Sequence, residues 1–219
     1  MTLRCAIFDL DGVLVDTAKY HYLAWKELAA KLGFGFSPQQ NERLKGVSRM
    51  DSLNILLEVG GMRERFTAGE KEKMAQEKNA RYVAYISKMD SSELLGGAEA
   101  LLRQLRKQGI KTALGSASKN SPLILQKVGI ASLFDVIVDG NDVSRAKPDP
   151  EVFTLGADWL QIPYQDCAVF EDSEAGLQAA KRAGMAAIGI GERKNLPSAD
   201  AVYQNLTQFP AGCYFKLVN

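Results

Sequence analysis

In the stretch "AIFDLDGVLVDT", two aspartates one residue apart, Asp9 and Asp11, follow an apolar run and precede a glycine. The run reads as a buried strand, and carboxylates at its mouth are costly unless something holds their charge. A spacing of two sends both side chains the same way from an extended chain. Taken alone, "DLDG" fits an Asx-type turn as well as a site. "CAVFEDSEAG" repeats the arrangement, with an apolar run ending at Phe170, then Glu171 and Asp172, then Ser173 and a helical pattern. Asp172 or Ser173 would also serve there as a helix cap. Two strands of one parallel sheet that each end in paired acids would gather four carboxylates at one edge, where they repel unless a cation holds them. Oxygen donors with no cysteine or histidine beside them suit Mg²⁺ better than zinc.

Two further strand ends supply positive charge and hydrogen-bond donors. "KTALGSASKN" puts Ser116 just past a run, with Ala117, Ser118, Lys119 and Asn120 leading into a helix. Amides at a helix start, with hydroxyl and amide side chains, suit a phosphate. "SRAKPDPEVF" places Lys147 before two prolines at another helix entrance. By itself it reads as one solvated lysine among many. A cation, a lysine and a serine around carboxylates together suit phosphoryl transfer.

The elements that must position these residues alternate. Strand patterns at Arg4–Phe8, Lys111–Gly115, Val136–Val138, Cys167–Phe170 and Ala186–Ile190 are separated by segments of helical period, which implies an α/β protein with a parallel sheet. Three of four intervening helical segments end in glycine, a C-cap signal. From residue 17 to residue 88 the rhythm breaks, and only helical patterns appear: "KYHYLAWKELAAKLG", "MDSLNILLEVG" and "AGEKEKMAQEKNARYVAYIS". The expected architecture is a doubly wound, Rossmann-like core of residues 1–16 and 89–219, with an inserted all-helical cap of residues 17–88. An insertion at that point lies at the carboxyl end of the sheet, where open α/β folds bind ligands.

The chain has 219 residues, is 46% apolar and 24% charged, and carries a net charge of +1, so it shows no electrostatic footprint for nucleic acid or an anionic membrane. Cys5, Cys167 and Cys213 are an odd count without a C-x-x-C, and two lie in apolar runs, which implies buried thiols in a reducing compartment. No apolar stretch approaches a spanning helix. A cytoplasmic monomer acting on small molecules is expected, with neither nucleic acid nor membrane as partner.

"DLDGVLVDT", Ser116, Lys147 and "EDS" stand in the order and spacing of the four motifs of the haloacid dehalogenase superfamily, and the resemblance covers essentially the whole chain. Within it, "LKGVSR", "EKNARYV", "SASKN" and "KPDPEVF" are similar to segments of the sugar-phosphate mutase branch, and several are shared by sugar-phosphate phosphatases. The resemblance implies an isomerase that interconverts β-D-glucose 1-phosphate and D-glucose 6-phosphate through an aspartyl phosphate and a β-glucose 1,6-bisphosphate. The alternative is a phosphatase using the same aspartate. It further implies Asp9 as nucleophile, Asp11 as general acid and base, and Ser116 and Lys147 as holders of the transferring phosphate. Mg²⁺ would be bound by Asp9, the Asp11 carbonyl and Asp172, with Glu171 close by. A phospho-accepting signalling domain shares some of these parts, but the inserted helices argue against it.

In the helical segment, His21, Trp25, Leu28 and Leu32 form one stripe, and Met74, Lys78, Tyr82 and Ile86 another. A lone histidine on such a stripe is commonly structural, and a lysine there can snorkel to solvent. The resemblance makes His21 a partner that positions Asp11, and Lys78 a sugar or closure contact. With Trp25 these would face substrate. "LKGVSR" places Gly46, Val47, Ser48 and Arg49 in a turn between helices, and Arg49 matches a grip for the non-transferring phosphate, where a forked guanidinium fits. A surface arginine near a helix start is the plain alternative.

Overall fold

The computed structural model describes residues 3–44 and 48–210. The chain divides into two compact units, Met1–Asp16 with Met89–Asn219, and Thr17–Lys88. In the first, β1 (Cys5–Phe8), β2 (Lys111–Gly115), β3 (Val136–Val138), β4 (Cys167–Glu171), β5 (Ala186–Ile190) and β6 (Ala201–Tyr203) form a six-stranded sheet of order β3-β2-β1-β4-β5-β6. All pairings are parallel, with Phe8 beside Leu114 on one side and Phe170 on the other. This is the doubly wound order, and the chain switches direction of winding between β1 and β4.

Parallel strands covered on both faces read as continuous apolar runs, and every residue of β1, β4 and β5 is buried. On one face Ile7, Val169, Ala113 and Ala187 pack under Phe153 of α7 (Glu151–Trp159) and Leu177 of α8 (Glu174–Arg182). On the other, Phe8 stacks on Phe170 at 4.6 Å between ring centroids, and Phe209 meets Phe170 edge-on at 4.8 Å. Full burial of such a side chain stabilises by about 1.5–3 kcal/mol. Cys5 and Cys167 are free and buried, as their apolar runs imply, and Cys213 lies outside the described residues.

The remaining helices of this unit, α5 (Ala98–Lys107) and α6 (Ser121–Lys127), follow the expected segments, and their chains turn away at Gly109 and Gly129 with positive φ. The segment ending α7 lacks a glycine, and Gln161 takes the left-handed conformation there with φ 55°. Strand β6 is absent from the sequence expectation. Its three residues are half-exposed at the sheet edge, too few to show a period.

The second unit contains α1 (Ala18–Lys31), α2 (Pro38–Asn41), α3 (Arg49–Val59) and α4 (Ala68–Ile86). The four-residue α2 is too short for a helical pattern and is carried by a capping box, in which Ser37 and Gln40 satisfy each other's amides. A second box, Thr67 with Glu70, starts α4. Trp25, Leu28, Leu53, Leu56 and Ala75 form this unit's core. Among the described residues no helix is long and apolar enough to cross a membrane.

Candidate active site

Asp9 stands one residue beyond β1, and its N–H still donates to the Phe170 carbonyl at 2.9 Å, so the strand pairing with β4 extends to the acid itself. It is 8% exposed. One carboxylate oxygen accepts from Lys147 Nζ at 2.5 Å, and the same ammonium lies 2.5 Å from Glu171 Oε1. Glu171 is the last residue of β4, and its other oxygen accepts from the Ser173 N–H at 2.9 Å and the Ser173 hydroxyl at 2.8 Å. After Asp11 the chain turns at Gly12, whose φ is 79° and whose N–H donates to the Val15 carbonyl. A Cβ on Gly12 would sit 2.0 Å from Asp172 Oδ2, so only glycine lets that carboxylate lie against the turn. A Cβ on Gly176 would strike the Glu171 carboxylate at 2.0 Å.

Asp9, Asp11, Glu171 and Asp172 lie close enough to repel one another, with the Lys147 ammonium between Asp9 and Glu171. Burial alone would lower Lys147, but Asp9 and Glu171 hold it above the ordinary lysine range, so it is charged. Asp9 is pushed well above the usual carboxylate range by burial, opposed by Lys147 and reinforced by Glu171, Asp172 and Asp11. Asp172 is pushed up to about 7 by desolvation and then by Glu171 and Asp11.

A divalent cation would relieve that crowding, and the donor set suits one. Among the described residues no three aspartates, glutamates, histidines or cysteines form a ready metal cluster. Mg²⁺ does not need one, because it binds through one or two carboxylates, water and substrate phosphate. Asp9, Asp172 and the carbonyl of Asp11 are oxygen donors with the right surplus of charge. Glu171 is already engaged by Lys147 and Ser173, and would reach a cation only through an oxygen shared with a donor. The cap of α8 is Ser173, whose hydroxyl accepts from the Gly176 N–H at 3.2 Å, which leaves the Asp172 carboxylate out of the capping.

Ser116 follows β2 and is 2% exposed. Its hydroxyl accepts from the Ser118 N–H at 3.1 Å, and the Ser118 hydroxyl accepts from the Asn120 N–H at 3.3 Å. Residues 116–120 are thereby a tight turn that leaves Ala117 and Lys119 exposed. The sequence reading missed what braces it. Asp139, buried beyond β3, accepts from the Asn141 N–H at 2.6 Å, and Asn141 Nδ2 donates to the Lys119 carbonyl. A Cβ on Gly140 would lie 2.3 Å from the Ala117 carbonyl. The signal was the "DGN" that closes the third apolar run.

The helical unit brings together another group. Lys78 Nζ lies 2.8 Å from His21 Nδ1, 4.6 Å from the Trp25 ring centroid and 5.1 Å from that of Tyr82. His21 stacks on Tyr82 at 3.9 Å. Lys78 is 3% exposed, so it does not snorkel to solvent. Burial and the charge of Arg49 bring it down to about 7. Burial, then Lys78 and Arg49, hold His21 well below the imidazole range, so the ring is neutral, and a charged Lys78 donates to its Nδ1. Arg49 is exposed as the first residue of α3, and Ser48 caps that helix through the Asp51 N–H. Gly46 and Val47 lie outside the described residues.

A doubly wound sheet with buried acids and a lysine at its switch point defines an α/β enzyme built around an aspartate. Residues 3–184 match the model of the haloacid dehalogenase-like hydrolases. The chain is 44% identical over 200 residues to the β-phosphoglucomutase of Bacillus subtilis, covering 91% of this chain and 88% of that one. A phosphorylated carbohydrates phosphatase of Thermotoga maritima is 30% identical over 210 residues, covering 91% and 93%. The crystal structure of β-phosphoglucomutase from Clostridium difficile superposes with a TM-score of 0.87 at 42% identity, covering 94% of this chain and 93% of that one. The chain belongs to the haloacid dehalogenase-like hydrolase family.

Proposed function

We propose that the protein is a β-phosphoglucomutase that interconverts β-D-glucose 1-phosphate and D-glucose 6-phosphate through an aspartyl phosphate and a β-glucose 1,6-bisphosphate. The observation that carries the reading is Asp9, buried at the switch point with Lys147 Nζ 2.5 Å from its carboxylate. An anionic nucleophile can meet an anionic phosphate only where fixed positive charge offsets their repulsion. Asp9 forms the bond to phosphorus, and Lys147 and Ser116 hold the phosphoryl oxygens. Asp11 takes the proton from the sugar hydroxyl that receives the phosphoryl group, and returns a proton to the sugar oxygen that loses one. Mg²⁺, held by Asp9, Asp172 and the Asp11 carbonyl, would supply Lewis-acid charge to those oxygens.

The helical unit is read as a cap, with Arg49 gripping the phosphate that is not transferring and Lys78, His21 and Trp25 facing the sugar. A mutase needs that second grip and must keep water from the aspartyl phosphate, whereas a phosphatase must admit water. In this reading the enzyme works as a monomer in the cytoplasm on a small substrate.

Phosphorus NMR of the protein with β-glucose 1-phosphate, Mg²⁺ and a trace of the bisphosphate tests the proposal. Glucose 6-phosphate is the expected product, and inorganic phosphate alone would identify a sugar-phosphate phosphatase instead. Arg49→Ala should lower the mutase flux sharply while slow hydrolysis persists. Arg49→Lys should restore only part of the flux, because a point charge cannot reproduce the fork.

A further inference from the structure

Lys147 reaches Asp9 and Glu171 from a segment that is neither strand nor helix, between β3 and α7. A long side chain on a loop holds one position only if the loop does. The group that fixes this loop sits on the helix that follows it. Glu151, the first residue of α7, turns its carboxylate back along the chain. Its Oε2 accepts from the Arg145 N–H at 2.7 Å and the Ser144 N–H at 3.0 Å, and the Ser144 hydroxyl lies 3.1 Å from both carboxylate oxygens. Arg145 pairs with Asp149 at 3.0 Å, and Asp149 accepts from the Glu151 N–H at 3.0 Å. The Asp149 N–H donates to the Ala146 carbonyl at 3.0 Å, and Arg182 donates to the Pro148 carbonyl at 3.0 Å. Residues 144–151 thus close on themselves with Lys147 at the apex.

A carboxylate in a first helical turn is favoured by the helix dipole whatever its neighbours. A dipole asks for no particular partner. This carboxylate accepts from two consecutive residues that lie two and three positions before Lys147, and those amides hold it below the usual carboxylate range. We infer that Glu151 is a positioning residue, whose carboxylate fixes segment 144–147 so that the Lys147 ammonium meets Asp9 and the phosphate bound there. The inference rests on the reading of Lys147 as a phosphate-holding group.

The test measures affinity for inorganic phosphate in Mg²⁺ by calorimetry, with kcat, KM and thermal unfolding, for wild type, Glu151→Ala, Glu151→Gln, Lys147→Ala and the Lys147→Ala/Glu151→Ala double variant. Glu151→Ala should weaken phosphate binding by roughly tenfold and lower kcat by roughly 10- to 100-fold. Glu151→Gln keeps an acceptor for the two amides and should recover most of both. On a Lys147→Ala background, removing Glu151 should change phosphate affinity by less than about twofold, since the two act as one unit. If Lys147→Ala weakens phosphate binding and Glu151→Ala only lowers the unfolding temperature, the positioning role is refuted and the reading of Lys147 stands. If Lys147→Ala leaves phosphate affinity unchanged, both fall. Should Glu151→Ala not fold, Glu151→Ser, whose short side chain cannot reach the Ser144 and Arg145 amides, takes its place, and unchanged phosphate affinity in that variant refutes the inference equally.

Discussion

Replacing Lys78 by methionine should stabilise the protein at low pH and destabilise it at high pH. Lys78 falls from 10.5 to about 7 because its ammonium is shut away from water beside Trp25, Tyr82 and the charge of Arg49. At about 1.36 kcal/mol per pH unit that interval bounds the cost of the buried charge at ~5 kcal/mol. The sign follows from proton binding. Below about 7 the lysine is charged in both folded and unfolded chains, and the whole cost is present. From about 7 to 10.5 the unfolded chain keeps a proton that the folded protein has released, so wild-type stability rises with pH. Lys78→Met removes the cost but leaves His21 Nδ1 without its donor, worth about 1–3 kcal/mol, and loses the ring contacts, worth about 0.5–2 kcal/mol. The variant should therefore gain up to about 3.5 kcal/mol at pH 6, and the gain should shrink and reverse by pH 9–10. Urea unfolding followed through Trp25 fluorescence, in a Trp159→Phe background, reads this directly. A stability difference that stays constant from pH 6 to 9 would show that Lys78 is not titrating in a buried site.

Further outcomes follow from the core. Asp172→Ala should raise the Mg²⁺ concentration needed for activity without loss of stability, whereas Ser173→Ala should cost about 0.5–2 kcal/mol as a lost cap; metal titration beside thermal unfolding separates them. Gly12→Ala forces a methyl group onto Asp172 and should weaken metal affinity by roughly 10- to 100-fold, measured by Mg²⁺ dependence of turnover; unchanged affinity would mean that Asp172 does not bind the metal from this position. Gln161→Gly relieves a left-handed non-glycine residue and should stabilise by about 0.5–1 kcal/mol, the larger relief being offset by a more flexible unfolded chain; chemical denaturation checks it.

The acids were legible because strands covered on both faces print as apolar runs, and anything charged at the end of such a run stands out; Lys147, nine residues past its run, was legible only through the order of the motifs. Asp9 and Glu171 meet through the pairing of β1 with β4, and Lys147 reaches both from the loop before α7. What stayed hidden was shorter than a period or lacked a side chain. Strand β6 has three half-exposed residues, and α2 has four. Gly12 and Gly140 matter for the space they leave empty, which a sequence does not print. Lys78 was ambiguous because a stripe position gives its face but not whether its head reaches water; the buried His21 contact decides that.

The strand order also sets when Asp9 can acquire its surroundings. Strand β1 precedes both of its neighbours in the chain, β2, which pairs Cys5 with Lys111, and β4, which pairs Cys5 with Cys167. Until β2 arrives β1 is an apolar strand with two open edges, and until β4 arrives it keeps one, the kind of segment that recruits wrong partners. The residues that follow it at once, Thr17–Lys88, form a unit whose contacts lie within one contiguous stretch, and such local folding is fast. The helices of this unit can therefore form before β1 is paired, whereas the Asp9 carboxylate, Lys147 and Glu171 come together only once β4 has been made.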